Sequence, residues 1–183
     1  VMIPYRALWS NLMFARGVLN MKPGDKLVSI LPMAHMYGLA FEFLYEVCGG
    51  CHIYFLTRIP SPKIIFDAFN EVKPNLVVAV PLIIEKIIKK NVLPKLETPA
   101  AKFLMKIPIV NDKIKSKVRE GVINAFGGRF HEIIIGGAPF NKEIEVFLKS
   151  IDFPYTVGYG MTECAPIISY EDWTKFKLGS CGK

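Results

Sequence analysis

Apolar residues recur along the chain with two spacings, which predict alternating helices and strands. From Tyr5 to Asn20 they return every three or four positions, a pattern typical of one buried helical face, here formed by Leu8, Leu12, Ala15 and Leu19. A second helix is predicted from Tyr37 to Val47. Short, mainly apolar runs predict strands at residues 27–31, 51–56, 76–80, 132–135 and 154–157.

Proline and capping residues mark the starts of the other predicted helices. Serine or asparagine accepts a hydrogen bond from the first helical turn, and proline is tolerated there because its missing N–H is not needed. Residues 91–110 are interrupted by three prolines and are expected to form short helices or a loop. The remaining helices are predicted to begin at Ser61-Pro62, at Pro81, at Asn111 or Asp112, and at Asn141.

The strands are unbroken apolar runs rather than alternating ones, which favours a sheet buried on both faces. Together with the intervening helices, this predicts an α/β fold: a doubly wound, mostly parallel sheet with helices on both faces. No internal repeat or low-complexity linker is visible, so residues 1–183 are interpreted as one domain or subdomain.

The chain is 51% apolar and has a mean hydropathy of +0.31, which raises the possibilities of a membrane span or a covered piece of a larger protein. The charge-free stretch from Leu27 to Phe41 contains Pro32 and Gly38 and is shorter than the roughly 20 apolar residues of a spanning helix. No basic region precedes an apolar run at the start, so no signal peptide is expected. A piece with normally covered faces is the better interpretation.

The net charge of +7 comes from one stretch, residues 86–119, which holds ten basic and two acidic residues. These are either solvated helix faces or a basic surface that meets anionic lipid or ligand phosphates. The apolar segment Phe103–Met105 beside Lys102 suggests peripheral membrane contact. Nucleic acid is not expected as a partner, because no reader motif accompanies the charge.

Cys48–His52 matches the C-x-x-C-H pattern of haem attachment and the C-x-x-C of redox proteins. The alternative is a helix that ends at Gly49-Gly50 before a strand, with buried but chemically silent cysteines. Cys164 and Cys181 are isolated, which argues against a zinc site. Unpaired cysteines fit a reducing cytoplasm, so a cytoplasmic protein is expected, with the inner face of the membrane as a peripheral location.

Two glycine-rich turns follow predicted strands, where ligands bind in doubly wound sheets. Gly136–Pro139 is one and Gly158–Glu163 is the other. Glycine lets backbone N–H groups approach a ligand, a threonine hydroxyl can bind a phosphate oxygen, and a glutamate can hold Mg²⁺ beside it. Taken alone, these residues are compatible with a nucleotide–metal site and equally with ordinary turns.

Four segments, in this order, resemble motifs of the adenylate-forming superfamily, which includes acyl-CoA synthetases, luciferases and peptide-synthetase adenylation domains. Leu31–Gly38 is similar to its L-P-x-x-H segment, and Ala79–Lys86 to the V-P-x-x-x-E-K stretch of long-chain acyl-CoA synthetases. Gly136–Pro139 resembles the G-G-A-P adenine loop, and Gly158–Glu163 the Y-G-x-T-E motif. The resemblance covers essentially the whole chain.

The resemblance implies a ligase that activates a fatty acid with ATP to acyl-AMP and passes the acyl group to CoA. A nucleotide-binding module, or another carboxylate-adenylating enzyme, is the alternative. By the same resemblance His35 lies near the acyl carboxylate, Thr162 contacts the α-phosphate and Glu163 binds Mg²⁺, so Thr162 and Glu163 are the catalytic candidates. The nucleotide would be bound by Gly136, Gly137, Ala138, Pro139, Tyr159, Gly160, Met161 and Thr162, with Tyr159 stacked on adenine.

The resemblance also implies parts that this sequence does not contain. Val1 looks like the last residue of the superfamily's phosphate loop, and Gly179–Lys183 resembles its G-S-x-G-K run. The chain is therefore expected to be a single partial AMP-binding domain, which lacks the upstream phosphate loop and the downstream hinge and C-terminal domain. On that expectation the segment alone does not complete a turnover.

Overall fold

A computed structural model describes residues 1–92, 94 and 108–182. The α-helices are α1 (Tyr5–Val18), α2 (Met36–Gly38), α3 (Tyr45–Gly49), α4 (Pro62–Val72), α5 (Pro81–Asn91), α6 (Pro108–Ala125) and α7 (Lys142–Ser150). A π-helical segment, Leu39–Leu44, joins α2 to α3, and Thr162–Cys164 forms a 3-10 turn. The strands are β1 (Lys26–Ser29), β2 (His52–Phe55), β3 (Leu76–Ala79), β4 (Glu132–Ile135), β5 (Tyr155–Val157), β6 (Tyr159–Gly160) and β7 (Ile167–Ser169).

The central strands are parallel, as predicted. β1 pairs with β2, and β3, β4 and β5 pair in that order. Asn75 connects the two sets, because its Oδ1 accepts from Lys26 N at 2.9 Å and its own N–H donates to Lys26 O at 2.8 Å. The carboxyl ends of β1, β3, β4 and β5 therefore lie along one edge. The predicted α/β class, with a mostly parallel sheet and helices, is confirmed.

The core lies between β3, β4 and β5 and the helices that cover them. Val77, Ile133 and Ile135 are at most 2% exposed, which explains why these strands read as unbroken apolar runs. Beside the sheet, an aromatic cluster brings four rings within 5.7–6.1 Å of one another in successive pairs: Phe69, Phe126, Phe130 and Phe153. The packed core thus fixes the positions of the strand ends, and the candidate motifs follow directly after those ends.

Burial on both faces was wrong for β2. Tyr54 is 39% exposed and Phe55 is 54% exposed, because β2 pairs only with β1 and lies at the edge of the described sheet. The prediction that Asn111 or Asp112 caps α6 was also wrong. The helix already begins at Pro108, a residue type suited to a first helical turn. The short helices or loop expected within residues 91–110 lie largely outside the described residues.

The C-x-x-C-H segment has an ordinary structural explanation. Gly50 adopts φ +70° and ends α3, so the strand β2 can follow directly. All four cysteines are unpaired, but the expectation that those of this segment are buried was wrong, because Cys48 is exposed and Cys51 is half-buried. Within residues 1–92, 94 and 108–182, no group of three or more His, Cys, Asp and Glu side chains could hold a metal, and no helix is long and apolar enough to cross a bilayer.

Candidate functional site

A cavity of about 310 Å³ opens at the carboxyl edge of the sheet, between the segments that follow β1, β4 and β5. Parallel strands bring these segments together although they are far apart in sequence. Eight of the residues predicted to form the site contribute to its wall: His35, Gly136, Gly137, Tyr159, Gly160, Met161, Thr162 and Glu163. The other lining residues are mainly apolar: Tyr37, Phe41, Ile134, Gly158, Pro166 and Ile167.

The Gly158–Glu163 segment forms a short hairpin with the chain that follows it. β6 pairs antiparallel with β7, and Met161 N donates to Pro166 O at 2.9 Å. Gly160 has no room for a side chain, since a Cβ there would clash with the Pro166 carbonyl. The 3-10 turn then exposes Thr162 and Glu163 at the cavity rim. A hydroxyl and a carboxylate are thereby available to a ligand.

The Gly136–Pro139 loop follows β4 and is hydrogen-bonded to the V-P-x-x-x-E-K segment, Ala79–Lys86. Gly136 N donates to Ala79 O at 3.1 Å, and Gly137 has φ +85°, a conformation that favours glycine. Glu85, on α5, accepts from Asn141 N at 3.1 Å and so ties α5 to the start of α7. The second matched motif, Ala79–Lys86, therefore contacts both ends of the loop that carries the first glycine turn.

A second cavity, of about 800 Å³, lies on the other side of β6. Ala138 and Pro139 line this cavity and not the first one. Gly137, Gly158, Tyr159 and Gly160 border both, so Tyr159 stands between them with 48% of its surface exposed. The chain end also contributes, because Gly179 N donates to Glu145 Oε1 at 2.9 Å and residues 178–181 form part of the wall. An extended ligand can thus contact both glycine turns.

His35 combines a structural contact with a position on the cavity wall. Its Nδ1 accepts from Tyr37 N at 3.2 Å and caps α2. Because Nδ1 accepts, the neutral ring carries its proton on Nε2. The exposed imidazole lines the same cavity as the Thr162–Glu163 rim, so the two candidate regions border one cavity.

Tyr37 is a cavity residue to which sequence reasoning assigned no definite role. Its hydroxyl donates to Ile134 O at 3.1 Å, and its ring meets Phe41 edge to face at 6.0 Å. The ring also lies against Gly136, where a Cβ would be 3.3 Å from it. Burial raises the pKa of Tyr37 above its ordinary value, so it is a neutral hydrogen-bond donor. Its place two residues after His35 was the available signal.

Glu42, which the sequence analysis missed, fixes the segment that carries His35. It is fully buried in the π-helical turn and accepts from Leu31 N at 2.9 Å, from Ile30 N and from Ser29 Oγ at 3.0 Å. Burial raises its pKa to about 7, although these hydrogen bonds oppose the shift. Its carboxylate takes up the N–H groups that β1 leaves unpaired at its end. A single acidic residue in the apolar run Leu39–Leu44 was the signal.

The sequence matches the family described as AMP-binding enzyme over residues 1–183. Among curated proteins, long-chain-fatty-acid–CoA ligase 5 of Rattus norvegicus is 26% identical over 98% of this chain, which covers 29% of that protein. Long-chain-fatty-acid–CoA ligase 2 of Schizosaccharomyces pombe is 30% identical over 91% of this chain, which covers 28% of that protein. The chain spans less than a third of the length of these curated relatives.

Solved structures share the fold at low sequence identity. A malonyl-CoA ligase in a ternary product complex with methylmalonyl-CoA and AMP superposes with a TM-score of 0.70 at 19% identity, over 99% of this chain and 34% of that one. O-succinylbenzoate coenzyme A synthetase from Bacillus subtilis, in complex with ATP and magnesium ion, gives 0.66 at 20% identity, over 97% and 30%. With the family match over its full length, this chain belongs to the AMP-binding enzymes.

Proposed function

We propose that the full-length protein containing this segment is a long-chain fatty acid–CoA ligase. It would activate a fatty acid with ATP to acyl-AMP and then transfer the acyl group to CoA. The observation that carries this proposal is the shared cavity, which brings His35, the Gly136–Gly137 turn and the Thr162–Glu163 rim to one sheet edge. The curated relatives, themselves long-chain-fatty-acid–CoA ligases, favour a fatty acid as the carboxylate.

In this proposal the nucleotide lies across β6. Gly136, Gly137, Ala138 and Pro139 border the adenine, and the half-exposed Tyr159 ring stacks on it. Gly160 and Met161 border the ribose and phosphate side, which brings the α-phosphate to the Thr162 hydroxyl. A hydroxyl is a suitable donor to a phosphate oxygen, and backbone N–H groups of a glycine turn supply further donors.

Glu163 is proposed to hold Mg²⁺ together with the ATP phosphates. Its carboxylate is exposed at the rim, and no cluster of three potential ligands exists within the described ranges. One protein carboxylate fits Mg²⁺, which keeps several waters and is usually bound by one or two carboxylates plus substrate phosphates. When bound, the ion would neutralise negative charge on the phosphates during transfer.

The reaction places modest chemical demands on the chain itself. A fatty carboxylate oxygen attacks the α-phosphorus, the bond to pyrophosphate breaks, and the CoA thiolate later displaces AMP from the acyl carbon. No base is required for the first step, because the substrate is already a carboxylate. Thr162 and the glycine-turn N–H groups would stabilise the charge that accumulates on the α-phosphate, which makes the catalysis largely positioning and electrostatics.

The acyl chain is proposed to leave the carboxylate near His35 along the apolar wall. Tyr37, Phe41 and Ile134 border both the cavity of about 310 Å³ and a small apolar cavity next to it, which Phe14 and Val18 close from α1. An apolar lining rewards chain length by about 0.8 kcal/mol per buried CH₂. His35 would orient the carboxylate with its Nε2 proton.

Two further expectations stay predictions. Peripheral membrane contact rests on residues 86–119, of which the described part includes exposed Lys86, Lys89 and Lys90 on α5. Phe103–Met105 lies outside the described residues. A cytoplasmic location rests on the unpaired cysteines. Sedimentation of the full-length protein with anionic and with neutral vesicles would test the first expectation.

The decisive experiment is ATP–pyrophosphate exchange by the full-length protein, with saturated fatty acids of increasing length and with benzoate and malonate as other carboxylates. The proposal expects exchange that rises with chain length, followed by CoA-dependent release of AMP. Exchange with benzoate or malonate but no fatty acid would favour another carboxylate-adenylating enzyme. Nucleotide binding without exchange on any carboxylate would favour a binding module.

A further inference from the structure

The Asn11 side chain joins α1 to the loop that carries Thr162 and Glu163. Its Nδ2 donates to Cys164 O at 3.0 Å, and its Oδ1 accepts from Ile167 N at 2.8 Å. The same amide also donates to Ala7 O at 3.1 Å, one helical turn back. Asn11 is 8% exposed, so these bonds form away from solvent. One side chain thus connects positions more than 150 residues apart.

The two tertiary bonds lie on either side of the turn at Ala165. On the near side, Ala165 N donates to Thr162 O at 3.1 Å and Cys164 N to Met161 O at 3.0 Å, which closes the 3-10 turn on itself. On the far side, Ile167 begins β7 and pairs with Gly160 of β6. Asn11 therefore holds both the end of the turn and the start of the strand that anchors it.

This contact requires a carboxamide. The Cys164 carbonyl needs a donor and the Ile167 N–H needs an acceptor, and asparagine supplies both at a short reach. Aspartate could accept from Ile167 N but would set a carboxylate oxygen against the Cys164 carbonyl. An alanine would leave both backbone groups without these partners. The two partners also fix the orientation of the amide, because the opposite assignment would face donor with donor.

No residue of α1 is among those that line the two large cavities, so Asn11 acts through the loop and does not touch a ligand. The acyl side of the main cavity is held by other contacts, those of Tyr37 with Ile134 and of Glu42 with the end of β1. A shift of the loop would therefore move Thr162 and Glu163 together with Pro166 and Ile167, while Tyr37, Phe41 and Ile134 keep their places in the apolar wall.

We propose that Asn11 is the positioning residue of the nucleotide–magnesium loop: its amide sets where Thr162 and Glu163 stand relative to the cavity. The expected change in KM rests on the proposed ligase function. The expected role of Asn11 in holding the loop does not. The loop is anchored by Asn11 whether or not bound ATP transfers its adenylyl group to a fatty acid.

The kinetic test uses the full-length protein with Asn11→Ala and the near-isosteric Asn11→Asp. Asn70→Ala is the matched control, because Asn70 makes the same bond to a carbonyl one turn back, to Phe66 O at 2.8 Å, on the exposed face of α4. In pyrophosphate exchange, both Asn11 variants should raise the KM for MgATP at least about tenfold. The KM for the fatty acid should rise by no more than about threefold, because only Pro166 and Ile167 of the apolar wall move with the loop. Asn70→Ala should change neither.

The structural test is amide hydrogen exchange of the peptide that spans residues 159–169. Its protection should fall at least about tenfold in both Asn11 variants and stay at the wild-type level in Asn70→Ala. Unchanged protection in Asn11→Asp would overturn the assignment even if Asn11→Ala fails to fold. Lost protection with equal rises in both KM values would also overturn it, as a general structural effect. If wild-type protein exchanges no pyrophosphate, the ligase proposal fails and the hydrogen-exchange result still decides the role of Asn11.

Discussion

The Tyr37 hydroxyl donates to the Ile134 carbonyl at 3.1 Å and so ties the first helical turn after His35 to the strand that leads into Gly136-Gly137. These two segments are in contact, and both contribute to the cavity wall. The bond fixes their separation, and the Tyr37 ring fills the space that Gly136 leaves open. One tyrosine therefore fixes how the His35 segment and the Gly136-Gly137 turn lie against each other at the cavity.

The Tyr37→Phe variant should separate the effect of the hydrogen bond to Ile134 O from the effect of the aromatic ring. Loss of the hydroxyl should lower the free energy of unfolding by about 1 kcal/mol, the net value of a typical internal hydrogen bond. The ring remains, so the dependence of exchange activity on fatty acid length should be unchanged. Urea unfolding and exchange assays would check both parts. Tyr37→Ala, which removes the ring as well, should shift the preference toward bulkier acids; no shift would contradict the assignment of this wall to the acyl chain.

Gly160→Ala should displace the candidate metal loop. An added Cβ would collide with the backbone carbonyl of Pro166, so the hairpin of β6 and β7 must open. We expect exchange activity to fall by roughly a hundredfold, since small displacements of positioned groups have effects of that size. Gly121→Ala is the control, because nothing lies within 4 Å of a Cβ at that helical position. It should retain activity and stabilise α6 by up to about 1 kcal/mol.

Glu163→Ala in the full-length protein should abolish Mg²⁺-dependent adenylation. Glu163 is the candidate carboxylate at the rim of the cavity, and the loss of such a charge-stabilising group costs roughly a hundred- to a thousandfold in rate. Exchange activity measured against Mg²⁺ concentration would check this. Glu120→Ala, an exposed change on α6, should behave as wild type. Activity retained at ordinary Mg²⁺ concentrations would refute the metal role of Glu163.

The strands and motif loops were predictable because their signals are local. Ile133–Ile135 is an unbroken β-branched run, and the glycine turns directly follow strands, so both the parallel sheet and the edge that carries the site followed from the pattern. The relative position of His35 and Gly136 was predictable only as a shared sheet edge. The Tyr37 bond that sets their distance depends on packing between two loops.

Asn11 and Glu42 were not predictable for a different reason. Asn11 occupies a helix whose polar positions normally face water, and its partner at Cys164 lies 153 positions away. Glu42 lies in a run that looked like an ordinary α-helix, and a carboxylate is rarely buried without partners. Its partners are backbone N–H groups at the end of β1, which no side-chain pattern reveals. The exposure of β2 was not predictable either, because it depends on which strand of the sheet lies at the edge.

The buried carboxylates predict a stability that falls as pH rises. Burial raises the pKa values of Glu42, Glu46 and Glu132 from 4.5 to about 7 in the folded protein. A carboxyl whose folded pKa is the higher one binds its proton more tightly when folded, so the stabilising contribution is complete below pH 4.5 and is lost as pH rises through 7. Urea unfolding at pH 5 and pH 8 should therefore show the lower free energy of unfolding at pH 8.

Glu42→Gln should remove the contribution of Glu42 to the pH dependence of the free energy of unfolding. A neutral amide oxygen still accepts from Ile30 N or Leu31 N, but the side chain no longer exchanges a proton between folded and unfolded states. The difference in unfolding free energy between pH 5 and pH 8 should shrink by on the order of 2 kcal/mol relative to wild type. Glu71→Gln, an exposed substitution on α4, should leave it unchanged. An equal pH dependence in Glu42→Gln and wild type would mean that Glu42 is not the buried titrating group, and that its contacts with the end of β1 stabilise the His35 segment in one protonation state throughout.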